Sequence, residues 1–131
     1  MSERDVVLAW FEKAAEDLQG ADVLLGAGLV NISCYHTQQA GEKALKAYLS
    51  QFMAEVPKTH DLGWLCRLCM EHDESFAEIH RISSSLTDFA TIARYPGTSE
   101  LTAQDAETAI EKAGRIFMFV QERISALDNN T

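Results

Sequence analysis

The chain has 131 residues, of which 47% are hydrophobic and 24% are charged, and its formal net charge is −9. This length and composition are typical of a globular protein with one core, so we predict a single helical domain over residues 1–131. A strongly acidic surface repels phosphate backbones, which argues against broad nonspecific binding of nucleic acid. The sequence shows no apolar run near the roughly 18 residues of a membrane span and no signal peptide at its start. We therefore expect no membrane association and a cytoplasmic location.

The three cysteines are an odd number, which argues against a disulfide framework. Cys66 and Cys69 form a C-x-x-C pattern with His72 three residues later, but no second ligand pair follows at zinc-ribbon spacing. We interpret both cysteines as small buried hydrophobes, with metal binding as the remaining alternative, and we expect no cofactor.

The periodicity of apolar residues favours helix along almost the whole chain. We predict five helices, at about 5–26, 31–53, 62–71, 76–92 and 103–127. Asn31 or Ser33 is expected to cap the second helix and Thr59 or Asp61 the third, while Thr102 and Asp105 form a capping box for the last. Short loops between such helices predict antiparallel neighbours, hence an all-α, up-and-down bundle of four to five helices.

Polar residues on the second predicted helix form the first candidate site. Gln39, Glu42, Lys43 and Lys46 share one helical face by their spacing of three and four residues. This face is either solvated, with Glu42 and Lys46 as an ion pair, or a cradle in which the glutamine contacts a base edge and the lysines bind phosphate. The spacing leaves both interpretations open.

The turn before the third predicted helix carries His60, between Thr59 and Asp61. Its imidazole either bonds Asp61 or a backbone carbonyl and locks the turn, or acts as an acid, a base or a phosphate donor beside Lys58. Further on, Arg94 and Tyr95 precede a Pro-Gly turn. This pair either bonds and packs locally or contacts a nucleotide, with the arginine on phosphate and the tyrosine stacked.

In this order and spacing, the segments resemble the HEPN domain family (higher eukaryotes and prokaryotes nucleotide-binding). The resemblance covers nearly the whole chain and rests on Trp10 and residues 14–18, 34–47, 57–62 and 94–96. It implies an antiparallel helical bundle, usually a homodimer, that is often encoded beside a minimal nucleotidyltransferase. In several such pairs the HEPN protein is an RNase toxin and the transferase is its antidote.

The ribonuclease members of the family use an R-x(4–6)-H motif, in which arginine stabilises charge on the scissile phosphate and histidine exchanges protons. If Arg94 is this arginine, the histidine should stand at Ser99, Glu100 or Leu101, and none of these is histidine. This departure argues against nuclease activity.

One formal match to the motif runs from Arg67 to His72, on the third predicted helix, where the family does not carry the catalytic pair. Two residue types at such loose spacing match often by chance. In some family pairs the transferase adds AMP groups to a tyrosine near the motif, so the resemblance implies Tyr95 as a modification site.

The sequence therefore predicts a non-catalytic HEPN module that binds a nucleotide or a nucleotidyltransferase in a two-component, toxin–antitoxin-like system. We expect a homodimer whose ligand is a nucleotide or RNA. The predicted ligand-binding residues are Gln39, Lys43, Lys46, His60, Arg94 and Tyr95. One alternative is a metal-independent ribonuclease toxin that uses Arg94 with His60, or Arg67 with His72. The second alternative is a structural dimer of helical bundles without a ligand.

Overall fold

Five α-helices and one 3₁₀ helix form the fold. The computed structural model describes residues 2–94 and 100–129, and within these the side chains of 2–89 and 100–125. The helices are α1 (Glu3–Gly26), α2 (Val30–Leu49), α3 (Leu62–Met70), the 3₁₀ helix (Glu74–Ile79), α4 (His80–Arg94) and α5 (Ala103–Asn129). The predicted all-α bundle of four to five helices is confirmed, and no strand occurs in these ranges.

Side-chain caps set the starts of three helices. Ser2 and Asp5 form a capping box, which starts α1 two residues earlier than predicted. The predicted box of Thr102 and Asp105 is confirmed at the start of α5, with bonds of 2.9 and 3.1 Å. Asp61 caps α3, so it is the aspartate and not Thr59 that fills this role.

The start of α2 differs from the prediction. The helix begins at Val30, after Gly28 with φ of 82°, and has no side-chain cap. The predicted cap at Asn31 or Ser33 is therefore wrong. The Ser33 hydroxyl instead donates to the Ala21 carbonyl at 2.6 Å, because α1 packs against this turn of α2 and offers a buried acceptor.

The second helix lies at the centre of the fold, since it packs against α1, α3, α4 and α5. The buried core includes residues from all five helices, among them Ala14, Leu45, Leu49, Leu65, Leu86, Ile116 and Val120. Because α2 has neighbours on most sides, several of its polar side chains are buried as well. These must find partners inside the protein.

Both cysteines of the C-x-x-C pattern are fully buried, as predicted. The Cys66 thiol donates to the Phe76 carbonyl at 3.3 Å, and the Cys69 thiol to the Leu45 carbonyl at 3.8 Å. Among the residues that the structure describes, no three His, Cys, Asp or Glu side chains are grouped to hold a metal ion. No helix in the same ranges is long and apolar enough to cross a membrane.

Candidate functional site

A buried carboxylate, Glu42, organises one side of α2. Its side chain is only 5% exposed. Its Oε1 atom accepts a hydrogen bond from His60 Nδ1 at 2.7 Å, and its Oε2 atom accepts one from Lys46 Nζ at 3.0 Å. Gln38 Nε2 adds a longer contact of 3.4 Å to Oε1. Both carboxylate oxygens therefore have cationic or polar donors, which offsets the cost of burying the charge.

The spacing of α2 explains why these groups meet. Gln38, Glu42 and Lys46 follow one another at four-residue steps, so they form one row along the helix. Lys46 Nζ also lies 5.8 Å from the centroid of the Trp10 ring on α1. The row consequently lies between α1 and the turn that carries His60.

The turn before α3 is attached to α2 and α4. Gln38 Nε2 donates to the His60 carbonyl at 3.0 Å, so His60 is held by its backbone as well as by its ring. Two residues later, the Leu62 amide donates to Thr87 Oγ1 on α4 at 3.1 Å. The position of His60 is thus fixed by the packing of α2, α3 and α4.

One ring nitrogen of His60 stays available. The His60 side chain is 60% exposed, and its Nε2 atom has no partner among the described residues. Because Glu42 is a carboxylate, Nδ1 carries the hydrogen of that bond. Nε2 then accepts a hydrogen bond when the ring is neutral and donates one when it is protonated.

A second, partly buried carboxylate lies on the α1 side of α2. The Asp17 side chain is 12% exposed, accepts from His36 Nδ1 at 2.8 Å and pairs with Lys43. Each of the two carboxylates therefore holds one imidazole and one lysine. We call Asp17, His36, Gln38, Gln39, Glu42, Lys43, Lys46 and His60 together the polar junction.

The charged residues of the predicted polar face of α2 thus belong to two separate ion pairs, Glu42–Lys46 and Asp17–Lys43. Glu42 and Lys46 form the predicted i,i+4 pair, but their side chains are 5% and 8% exposed, so the interpretation that places this pair on a solvated face is wrong. The pair is buried because α1 and the turn cover this part of α2. Lys43 instead reaches Asp17, and Gln39 Nε2 donates to Gln38 Oε1 at 2.9 Å.

The other predicted residues lie elsewhere or outside the described part of the chain. Arg94 is the last residue of α4, and its side chain is not among those described. It lies seven residues beyond Thr87, about 10 Å along the helix axis. Tyr95, the predicted modification site, lies outside the described residues.

The formal motif match has separate contacts for its two members. Arg67 Nη1 lies 3.5 Å from His80 Nε2. The His72 ring stacks on Phe52, with the ring centroids 4.0 Å apart and the planes at 8°. The structure thus gives Arg67 and His72 different neighbours on the surface.

Sequence reasoning missed Asp17 and His36 as members of the junction. Asp17 is a charged residue beside Ala14, Leu18 and Ala21 on the packed face of α1, which is a signal for a buried ion pair. His36 lies seven residues before Lys43, so both are on one face of α2. Neither pattern alone specifies the partner.

Most lysines of the chain lie at or beside the junction, together with carboxylates that include the exposed Asp61 and Glu16. Lys43 and Lys46 are two of the five lysines in the sequence. Lys58 lies exposed two residues before His60, and Lys13 lies exposed on α1, one turn from both Trp10 and Asp17. Four of five lysines therefore surround this region of a protein with a net charge of −9.

The family model for the HEPN domain matches residues 7–124. Among solved structures, the chain is similar to the crystal structure of TT1696 from Thermus thermophilus, with 27% identity and a TM-score of 0.79 over 88% of this chain and 96% of that one. It is also similar to ST0689, an archaeal HEPN homologue, with 27% identity and a TM-score of 0.71 over 95% of this chain and 99% of that one. No curated protein matches the chain.

Proposed function

The chain belongs to the HEPN domain family, and we propose that it is a non-catalytic HEPN module that binds a nucleotide, or a nucleotidyltransferase, in a two-component system. The arrangement of His60 carries this proposal. Its ring is anchored at Nδ1 by Glu42, is 60% exposed and presents Nε2 to solvent. An imidazole held in this way is suited to bind a phosphate or hydroxyl group of a ligand.

The distribution of lysines supports an anionic ligand. Exposed lysines beside an anchored imidazole attract an anion locally, while the acidic surface of the protein repels long nucleic acids. Lys43 and Lys46 are paired with carboxylates, so they keep the buried part of the junction close to neutral. Lys58 and Lys13 are exposed and supply the charge that reaches phosphate.

The sequence after α4 argues against catalysis, because it lacks the histidine of the ribonuclease motif. The family's ribonuclease motif requires a histidine five to seven residues after its arginine, and the chain has Ser99, Glu100 and Leu101 there. In the formal match to the motif, the side chains of Arg67 and His72 contact different residues, His80 and Phe52.

Calorimetric titration with ATP and other nucleotides tests the binding function. We expect His60→Gln to weaken nucleotide binding at least tenfold, because the imidazole ring with its free nitrogen is lost from the junction. Lys58→Ala should also weaken binding, and it leaves the Glu42–His60 bond intact. His80→Gln is the matched control, since His80 lies next to Arg67 and not at the junction. Absence of heat with every nucleotide and with a neighbouring transferase would favour the structural dimer.

The partner function needs its own experiment. A small nucleotidyltransferase encoded beside this chain should copurify with it when the two are expressed together. Intact-mass measurement of the copurified chain tests whether AMP is added, and Tyr95→Phe should remove that addition. Unchanged mass in the wild-type chain, under conditions where the transferase is active, would rule out Tyr95 as its target.

The Glu42–His60 pair also favours a second candidate function, metal-independent RNA cleavage. A carboxylate that orients a histidine through Nδ1 and leaves Nε2 free is the arrangement of general-base histidines. The chain expressed alone would then arrest growth and cleave RNA, and both effects would disappear in His60→Ala and Arg94→Ala. This result would overturn the non-catalytic proposal.

A further inference from the structure

The turn between α1 and α2 carries exposed apolar side chains. Val23, Leu29 and Ile32 are 66%, 52% and 47% exposed, and they are three of the seven exposed large hydrophobic residues among the described side chains. Leu29 and Ile32 line a groove of about 560 Å³ together with Glu100 and Leu101, which precede α5. Exposed apolar surface that is concentrated in one place is typical of an interaction site.

The backbone of this turn is fixed by two hydrogen bonds. Gly28, which has φ of 82°, donates its amide hydrogen to the Leu25 carbonyl at 2.9 Å. The Leu29 amide donates to the Leu24 carbonyl at 2.9 Å. Together these bonds form the Schellman motif that ends α1. Because the groove is built on an ordered backbone, a ligand that binds there loses little free energy in ordering the turn.

Leu29 occupies a position at which leucine is unfavourable. It is the N-cap residue of α2, and its side chain makes no capping bond. Serine, threonine, aspartate and asparagine are strongly preferred over leucine at an N-cap. Since about half of the side chain is exposed, burial compensates for only part of this loss. Local choices that weaken a fold in this way are expected at functional sites.

The stretches of chain that form this end of the bundle lack basic residues. Residues 14–42 and 100–111 contain no lysine or arginine. Along α1 and α2, the nearest lysines are Lys13, which is 13 residues from Gly26, and Lys43, which is 13 residues from Val30. Each of these separations is about 20 Å along the helix axis.

Carboxylates lie at and around the groove instead. Glu100 lines it, and Asp22 lies exposed in the last two turns of α1. Asp105 and Glu107 lie in the first two turns of α5. Arg94 precedes Glu100 by six residues, and its side chain is outside those described. An apolar groove with an acidic rim is complementary to an apolar segment that carries lysine or arginine, whereas a second copy of this chain would bring the same carboxylates to the same place.

The size of the groove favours a short segment as its ligand. Seven residues line the groove, whereas a standard protein interface has about 20–30 residues on each side. A single helix that places a few apolar side chains on one face fits such a site better than a folded domain does.

We propose that this groove binds a short, basic, amphipathic segment of a different protein, with apolar side chains in the groove and lysine or arginine side chains on its acidic rim. The inference goes beyond the proposed function and is independent of it. Ile32 lies ten residues from Glu42, about 15 Å along α2, so the groove is separate from the polar junction.

Amide NMR titration of the intact protein with a synthetic peptide tests this proposal. The peptide consists of leucine and lysine, with leucines at three- and four-residue steps so that one helical face is apolar. We expect the largest shifts at Leu29, Ile32 and Leu101. A peptide with serine in place of leucine and one with glutamate in place of lysine should each bind at least tenfold more weakly. Shifts confined to other acidic surfaces would overturn the proposal.

Leu29→Ser provides the matched variant. We expect it to weaken binding of the leucine–lysine peptide at least fivefold and to leave stability unchanged or higher, because serine is the better N-cap. Leu8→Ser is the control, since Leu8 is 50% exposed but lies in a different groove, beside Gln51. Combined Asp22→Asn and Glu100→Gln should also weaken binding, and more so at low salt. Wild-type affinity of Leu29→Ser for the peptide would contradict the proposal.

Other occupants of the groove give different results. Conversion of a dimer into a monomer by Leu29→Ser, measured by light scattering, would assign the groove to a second copy of the chain. Binding of the wild type to phospholipid vesicles that is lost in Leu29→Ser would assign it to a membrane surface. Either result would overturn the basic segment. ATP binding should be equal in Leu29→Ser and the wild type, so failure of nucleotide binding and failure of this inference appear in separate measurements.

Discussion

Gly41 on α2 lies directly against Leu62 at the start of α3, so that a Cβ atom at position 41 would lie 2.8 Å from Leu62 Cδ2. Leu86 and Ile116 close the same space from α4 and α5, at 3.5 and 3.6 Å. All three neighbours are fully buried. The missing side chain at position 41 thus lets α3 approach the central helix, which brings His60 to the polar junction.

We expect Gly41→Ala to lower the free energy of unfolding by up to about 2 kcal/mol, the difference between two opposing effects. Alanine gains about 1 kcal/mol of helix propensity over glycine, but overpacking a closed core costs about 1–3 kcal/mol. Urea unfolding followed by circular dichroism measures the net change. Leu62→Val in the same chain should restore part of the loss, because it removes the atom that clashes.

Gly114→Ala on α5 is the matched control. Nothing lies within 4 Å of a Cβ atom at position 114. We therefore expect this change to leave stability unaltered or to raise it by up to about 1 kcal/mol. Equal stability of Gly41→Ala and Gly114→Ala would show that the contact with Leu62 does not limit the packing.

Local sequence signals predicted most of the fold. The box of Thr102 and Asp105 needs only residues three apart, and the apolar periodicity of α1 and α5 needs only neighbouring turns. The uncapped start of α2 could not be predicted in this way. There Ser33 bonds the Ala21 carbonyl on α1, a tertiary contact over twelve residues, and so it is not free to act as a cap.

The buried pair of Glu42 and Lys46 should be strongly coupled. Lys46→Met leaves Oε2 of a buried carboxylate without its ammonium partner, so we expect a loss of about 3–5 kcal/mol in the free energy of unfolding. Adding Glu42→Gln removes the uncompensated charge, so the double variant should be more stable than the sum of the single effects. Urea unfolding of the four proteins measures this coupling.

Lys43→Met is the control for the effect of burial. Lys43 and Asp17 are 22% and 12% exposed, against 8% and 5% for Lys46 and Glu42. Water therefore compensates the unpaired Asp17 better, and we expect a smaller loss than for Lys46→Met. A larger loss of stability for Lys43→Met than for Lys46→Met would contradict the conclusion that the Glu42–Lys46 pair is more buried than the Asp17–Lys43 pair.

The candidate site could be predicted only in part. The four-residue step from Glu42 to Lys46 was evident in the sequence, and His60 stood out in its turn. The contact between Glu42 and His60 joins residues 18 apart, and it exists because α3 packs against α2. Burial of the pair depends on α1, whose Trp10 ring lies beside Lys46. Neither the contact with His60 nor the burial by α1 can be predicted from the spacing of residues in the sequence.

The three cysteines should react slowly with thiol reagents in the folded protein. Burial raises the pKa of Cys34 and of Cys66 from 9.0 to about 11, and it raises that of Cys69 further. Such a shift lowers the thiolate fraction at pH 8 by about a hundredfold, and the reagent also has no access. We expect alkylation followed by mass spectrometry to modify no thiol rapidly until urea is added. Fast modification of Cys66 or Cys69 without urea would contradict their packing in the core.

Asp73 should make stability depend on pH. Its Oδ1 atom accepts hydrogen bonds from the Ser75 hydroxyl at 2.6 Å and the Ser75 amide at 2.9 Å, and Arg123 lies 3.7 Å from Oδ2. The Ser75 hydroxyl is the main cause of a pKa below the ordinary value of 3.8. Because the folded pKa is the lower one, the ionised carboxylate stabilises the fold above pH 3.8, and this contribution is lost as the pH falls through the folded pKa.

Asp73→Asn tests this dependence. The variant keeps a cap on the 3₁₀ helix but cannot ionise, so its hydrogen bonds lose their charged acceptor and we expect it to be less stable than the wild type by on the order of 1 kcal/mol at pH 7. Below the pKa of the unfolded chain the difference should shrink, because only the wild type loses a stabilising charge. Ser75→Ala removes the hydroxyl donor and should flatten the same profile. A difference between wild type and Asp73→Asn that stays constant from pH 7 down into the acid range would show that ionised Asp73 does not stabilise the fold.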